Sequence, residues 1–368
     1  MKLEAVEIRE LRIPLVQFFE TSFGRTYDRN LIIIKLYSEG LTGYGESATS
    51  SSPSYSYETA GTCFHILEDF AAPLIVGRDV EGPEEMQNLL SPIRGHPMAK
   101  AGLEEALWDL IAKGRGKPLY KLLGGVRDKI YPGVSIGIQD SVKGLLTQIE
   151  SFLNKGYRRI KIKIKPSWDL KVVSQVHENF PHIPLMVDAN GAYSINDLSL
   201  FREMDRFNLM MIEQPLPYYD LMDHAKLQGE ISTPICLDES INNLHDLKLA
   251  ILLKSCRVVN IKPGRLGGLL ASRAIHDLAH ENGIPVWCGG MLETGIGRAH
   301  NVALSTLPNF TLPGDVSASD RYYAQDIIEP PFRLNPDGSI DVPQGPGIGV
   351  EVVEERLDKY TVRSVVVK

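Results

Sequence analysis

The chain has 368 residues, with 39 Lys+Arg against 46 Asp+Glu and a formal charge of −7. Hydrophobic residues at 43% and charged residues at 23% are the proportions of a folded globular protein, which excludes bulk disorder. The acidic balance carries no phosphate-binding footprint, so no nucleic-acid partner is expected; the length suits either two ordinary domains or one barrel of ~250 residues with a companion domain.

Residues 1–10 are charged at nearly every other position and no apolar core follows, so no signal peptide is expected. No apolar run approaches the ~18 residues of a membrane span. A cytoplasmic protein without a membrane partner is the expectation. Four dispersed cysteines (Cys63, Cys236, Cys256, Cys288) fit a reducing compartment and read as small buried hydrophobes. Residues 2–14 and 31–48 carry strand-like runs with a turn near Ser38–Gly43, a small antiparallel meander. Residues 17–28 and 49–57, rich in Ser, Tyr, Gly and aromatics without a period, read as surface loops. Leu103, Leu107, Leu110 and Ile111 then recur at helical spacing between Ala99 and Gly116.

From about residue 131 short apolar segments alternate with helical stretches. Strands are expected at Val134–Ile138, Arg159–Ile164, Leu185–Asn190, Met211–Pro215, Ile235–Ser240, Val258–Pro263, Pro285–Gly290 and Phe310–Asp315. Eight parallel βα units point to a closed barrel. After Asp315 a Pro/Gly-rich tail leads to a last strand near Val362–Val367, placed to rejoin the meander. The expected division is a capping domain over 1–130, joined by 318–368, and a barrel over 131–317.

One ionisable residue recurs at the end of successive strands. Lys163 to Asp188, Asp188 to Glu213 and Glu213 to Asp238 are each 25 residues, and Asp238 to Lys262 is 24. One βα unit per step brings all five to the barrel's C-terminal rim, where barrel enzymes place their chemistry. Three carboxylates together need a cation, and hard oxygen donors without His or Cys favour Mg²⁺ over Zn²⁺, with Mn²⁺ as a substitute. Lysines on both sides of such a cation suit proton abstraction next to a substrate carboxylate. Singly, a Lys-x-Lys-x-Lys strand is a solvated edge and a strand-end Asp is a helix cap. Their shared period, and a parallel barrel strand that has no wet face, argue against both. His276 and His280 lack a metal-binding pattern and read as a solvated helix face. The Gly264–Gly268 and Gly295–Gly297 stretches complete no phosphate loop.

At these residues the sequence resembles the enolase superfamily, with Lys161-Ile-Lys163, Asp188-Ala-Asn190, Glu213-Gln-Pro, Asp238-Glu-Ser and Lys262-Pro-Gly-Arg in family order. Lys262 places the resemblance in the muconate lactonizing subgroup. The segments around Asp188, Lys262 and Met291 are similar to the branch of o-succinylbenzoate synthases and N-succinylamino acid (N-acylamino acid) racemases. The resemblance implies a (β/α)₇β TIM-like barrel capped by an α+β domain, an α/β fold. It implies Asp188, Glu213 and Asp238 as metal ligands and Lys163 and Lys262 as the acid/base pair. Lys161, Ser135, Asn190 and Met291 are implied at the substrate pocket. Apart from the resemblance, Glu239 and Arg265 are expected behind the site, Arg265, three residues after Lys262, tuning that lysine if its guanidinium lies close. The implied activity is Mg²⁺-dependent dehydration of 2-succinyl-6-hydroxy-2,4-cyclohexadiene-1-carboxylate in menaquinone biosynthesis, with racemase activity at the same site or as the main role. The implied partner is a small carboxylate substrate, and a homo-oligomer is expected. Lys165 stands where an acidic residue is expected in relatives. Outside this reading, the residues also admit a metal-dependent phosphohydrolase barrel or a non-catalytic binding protein; the opposed lysines argue against the first, and a cluster of ionisable groups without a task against the second.

Overall fold

The apolar runs of the N-terminal third pair as an antiparallel sheet in a computed structural model that describes all of residues 1–368. Strands β1 (Ala5–Thr21), β2 (Gly24–Ser38) and β3 (Leu41–Ser47) follow in order. The β2–β3 turn is the two-residue Glu39-Gly40, both at positive φ (52° and 76°), as a tight hairpin requires. Residues 17–28, expected as a loop, instead extend β1 and β2 into a hairpin tip, with Phe19 opposite Thr26 and Thr21 opposite Gly24. This ribbon has no continuous buried face, so its sequence lacks the alternation that marks a half-buried strand. Residues 49–57 are a loop, as expected.

Helix α1 (Pro97–Gly114) lies on β3 with most of its side chains buried. The approach is close enough to need glycine: a Cβ on Gly45 would sit 2.0 Å from the Gly102 carbonyl oxygen.

The second sheet is parallel. It runs β4 (Val134–Ile136), β5 (Ile160–Lys163), β6 (Leu185–Asp188), β7 (Ile212–Glu213), β8 (Ile235–Leu237), β9 (Val258–Ile261) and β10 (Val286–Cys288), each beside the next. Seven helices alternate with them: α2 (Val142–Asn154), α3 (Leu170–Asn179), α4 (Leu198–Met204), α5 (Leu221–Glu230), α6 (Leu244–Leu253), α7 (Leu269–Glu281) and α8 (Gly295–Leu304). The eighth expected strand, Phe310–Asp315, is not a strand. It closes the ring through one bridge from Phe310 to Val286 and two hydrogen bonds, Gly133 N to Gly314 O (2.7 Å) and Asp315 N to Cys288 O (2.8 Å). Pro313 has no N–H to donate to a ladder, which accounts for the broken pairing. A final strand, β11 (Thr361–Val367), pairs antiparallel with β1.

Two glutamates join the sheets' domains. Glu46 of β3 accepts hydrogen bonds from Thr294 Oγ1 (2.5 Å) and Gly297 N (3.0 Å) at the start of α8. Glu104 of α1 accepts from Leu269 N (2.7 Å) and Leu270 N (2.9 Å) at the start of α7. Both give carboxyl oxygens to backbone N–H groups that a helix start leaves unpaired. The Gly295–Gly297 stretch is thus served by a protein carboxylate. His276 is a correction: it is buried, stacked on Phe310, and its Nε2 accepts the Asn309 N–H at 2.9 Å. The four cysteines are buried and free. No helix is long and apolar enough to cross a membrane.

Candidate active site

Lys163, Asp188 and Glu213 end β5, β6 and β7, and Asp238 and Lys262 directly follow β8 and β9, so the five residues of the 24–25 spacing share one rim. Register places Lys163 beside Asp188 and Asp188 beside Glu213. All five are buried, the three carboxylates completely. Lys163 Nζ donates to Asp188 Oδ2 (2.5 Å) and Asn190 Oδ1 (2.8 Å). Lys262 Nζ donates to Asp238 Oδ2 (2.6 Å). Lys161, one layer deeper, reaches Asp188 (3.2 Å), Glu213 (2.9 Å) and Asp315 (2.5 Å).

The electrostatics follow from this crowding. Burial raises the Glu213 carboxyl, and Asp188 beside it adds to the rise, so it stands well above the ordinary carboxylate range. Burial opposes ionisation of Asp188 too, yet Lys163 and Lys161 outweigh it and hold that group low. Burial alone would depress the Lys262 ammonium; Asp238, followed by Tyr55, reverses this and holds it high. No three carboxyl groups meet around one point in this conformation, each being turned onto an ammonium. The donor set nonetheless suits a hard divalent cation: three fully buried carboxyl groups on neighbouring strands, one of them driven up by burial and then by Asp188 beside it.

A cavity of about 140 Å³ opens above this rim. Lys163 and Lys262 line it with Asn190 and Met291. Its outer wall is Phe19, Thr21 and Phe23 of the β1–β2 hairpin and the serines of the 49–56 loop. Lys163 and Lys262 stand four strands apart, half the circumference of an eight-segment ring, on opposite sides of the same space. Ser135 and Lys161, side by side in register, are both buried and lie off the cavity wall, and the Ser135 Oγ has no hydrogen-bond partner.

Asn190 is held at positive φ (46°) after β6 and donates from Nδ2 to Glu239 Oε1 at 2.9 Å. Arg265 donates from Nη1 to Asp238, the carboxyl that also pairs with Lys262, and from Nη2 to Asn260 O (2.6 Å). Three contributors escape the sequence reading. Tyr55, from the 49–57 loop, donates its hydroxyl to Asp238 (3.0 Å) and accepts from Lys262 (3.1 Å). Asn260 Nδ2 donates to Glu213 Oε1 (2.7 Å). Arg159 pairs with Asp315 at 2.7 Å, completing a buried chain under Lys161. Asp315 follows Lys262 and Cys288 in steps of 26 and 27, longer than the rim's 24–25; nothing in the local sequence points to Tyr55.

Lys165, the third lysine of its run, leaves the site. The Lys165–Trp168 turn closes on itself with reciprocal backbone bonds of 3.1 and 2.8 Å. Its Nζ donates to Glu20 of the hairpin (3.0 Å), whose other oxygen takes Arg25 (2.7 Å), which also reaches Asp140 (2.7 Å).

Two family models match the chain. The mandelate racemase / muconate lactonizing enzyme N-terminal domain matches residues 5–124, and the enolase C-terminal domain-like family matches 144–356. The chain belongs to the enolase superfamily. Within this superfamily it is 50% identical over 362 residues to an o-succinylbenzoate synthase of Geobacillus stearothermophilus, covering 98% of this chain and 96% of that one. It is 49% identical over 361 residues to an N-succinylamino acid racemase of Thermus thermophilus, covering 98% of each. A crystal structure of an enolase-superfamily member from Listeria innocua superposes with a TM-score of 0.95 at 41% identity, covering 100% of this chain and 99% of that one. The chain is therefore placed in the o-succinylbenzoate synthase / N-succinylamino acid racemase family, with the two-domain enolase fold.

Proposed function

We propose that this chain is an o-succinylbenzoate synthase that also racemises N-succinylamino acids. The observation that carries the reading is the pair Lys163 and Lys262, facing one cavity from opposite sides above three buried carboxylates. Asp188, Glu213 and Asp238 would hold Mg²⁺, or Mn²⁺ in its place, which supplies Lewis-acid charge for the substrate carboxylate.

In the dehydration, Lys163 as the free amine removes the proton next to that carboxylate. The electron pair moves into the carboxylate, giving an enediolate. Lys163 then returns its proton to the departing hydroxyl on the same face, water leaves, and the ring becomes aromatic. Lys262 stays charged throughout and stabilises the enediolate from the other side. In racemisation the enediolate is shared, but Lys262 protonates it from the opposite face, so the two lysines exchange roles with the direction of reaction. The 49% identity with a racemase favours this second activity.

Purified protein with Mg²⁺ is tested on two substrates. Loss of diene absorbance with the cyclohexadiene precursor, and α-proton exchange of N-succinyl-L-phenylalanine in D₂O, are both expected. Both should stop on chelation and return with Mg²⁺. Silence on both refutes the assignment; exchange without diene loss makes the racemase the principal activity.

A further inference from the structure

Basic side chains on the cavity wall are matched, with one exception. Lys163 faces Asp188 and Lys262 faces Asp238. Arg29, on β2 behind the hairpin tip, lines the same cavity and is 8% exposed, but no carboxylate lies within 4.0 Å of its guanidinium. Nη2 donates to backbone carbonyls, Thr49 O at 2.5 Å and Ala48 O at 3.5 Å, and buried Nε has no partner. The adjacent Asp28 is taken by Arg12 at 2.6 Å. The nearby Tyr323 hydroxyl donates to Leu292 O at 2.5 Å, away from it. Carbonyl oxygens orient a guanidinium without neutralising it, and an uncompensated buried charge is costly. Such a group persists at low cost when a ligand brings the opposite charge.

We infer that Arg29 is the counter-ion for the far carboxylate of the substrate's succinyl tail, which lies against β2. The inference rests on the proposed function and names the group that recognises the tail. Thr49 O and Ala48 O both accept from Nη2, so the start of the 49–56 loop anchors the guanidinium. Arg29 binds and selects; it takes no part in proton transfer.

The test compares α-proton exchange of N-succinyl-L-phenylalanine with that of N-acetyl-L-phenylalanine, which lacks the far carboxylate. A charge-assisted hydrogen bond is worth about 10- to 100-fold in affinity, so Arg29→Met should lower the ratio of the two kcat/KM values by about that factor, mainly through KM for the succinyl substrate. Arg29→Lys keeps the charge without the fork and should recover part of the ratio. A loss shared equally by both substrates would assign Arg29 to hairpin structure and overturn the inference. Thermal shift gives a readout independent of turnover: o-succinylbenzoate should raise the melting temperature of the native protein more than that of Arg29→Met, while benzoate should act alike on both. If neither amino acid exchanges, that difference alone decides for Arg29, and its absence decides against.

Discussion

Lys163 and Lys262 are chemically equivalent side chains given different surroundings. Lys163 shares Asp188 and the Asn190 amide; Lys262 lies against Asp238 and the Tyr55 hydroxyl, with its ammonium 4.6 Å from the Tyr55 ring centroid. Tyr55 and Asp238 thus favour a charged Lys262, which suits the spectator task in dehydration. Lys163→Ala should lower both diene loss and α-proton exchange by about 10²–10⁴-fold, measured side by side with the native protein. Retention of either reaction would remove Lys163 from the base position. At this scale the sequence was legible where residues share a period. Lys163, Asp188, Glu213, Asp238 and Lys262 needed only counting, since one βα unit fixes one rim position. Tyr55 and Arg29 were not, because each reaches the site from the other domain across more than a hundred residues of chain, and no local pattern records such a contact.

Elements carry the second kind of information. α1 sits on β3 only because Gly43, Gly45 and Gly102 leave room, and a Cβ on Gly102 would lie 2.4 Å from Ser47 Oγ. Gly45→Ala should destabilise the protein by about 1–3 kcal/mol, read from urea unfolding, because the clash is with backbone and cannot be relieved by a rotamer. The hairpin over residues 17–28 reads as a loop because its aromatics Phe18, Phe19, Phe23 and Tyr27 do not alternate and neither face of the ribbon is continuously buried. Its hold on the barrel is ionic, through Lys165, Glu20, Arg25 and Asp140, and hydrogen-bonded, the Ile138 N–H donating to Glu20 O at 2.9 Å. Partly exposed pairs contribute modestly, so Lys165→Ala should speed hydrogen exchange of the hairpin tip by up to about fivefold. Added salt should reproduce part of that effect in the native protein and little of it in the variant. An unchanged exchange rate would leave Lys165 without this role.

For the whole molecule, the two domains meet through buried acids. Burial pushes Glu104 up to about 7 against the backbone hydrogen bonds of Leu269 and Leu270, which lower it. A carboxyl with a raised folded-state value keeps its proton when the unfolded chain has already lost it. The unfolded chain therefore binds fewer protons in that window, and stability falls as pH rises from about 4.5 to 7. Glu104→Gln should flatten this part of the stability–pH curve, measured as melting temperature between pH 5 and 8; an unaltered slope would mean that the helix start at Leu269 keeps the carboxylate ionised. The alternation of strands and helices made the barrel legible from sequence, but its seam was not, because Pro313 replaces the eighth strand with a bridge and two hydrogen bonds. The first sheet has a consequence for biosynthesis. β1 lies between β2 and β11, with Val6 paired to Val367, so one flank of β1 is covered only by a strand made about 340 residues later. At about 5–20 residues per second the ribosome leaves that flank open for roughly 20–70 s, a period in which chaperones, or the charges of Glu7, Arg9 and Glu10 along it, must keep other nascent chains from adding to it.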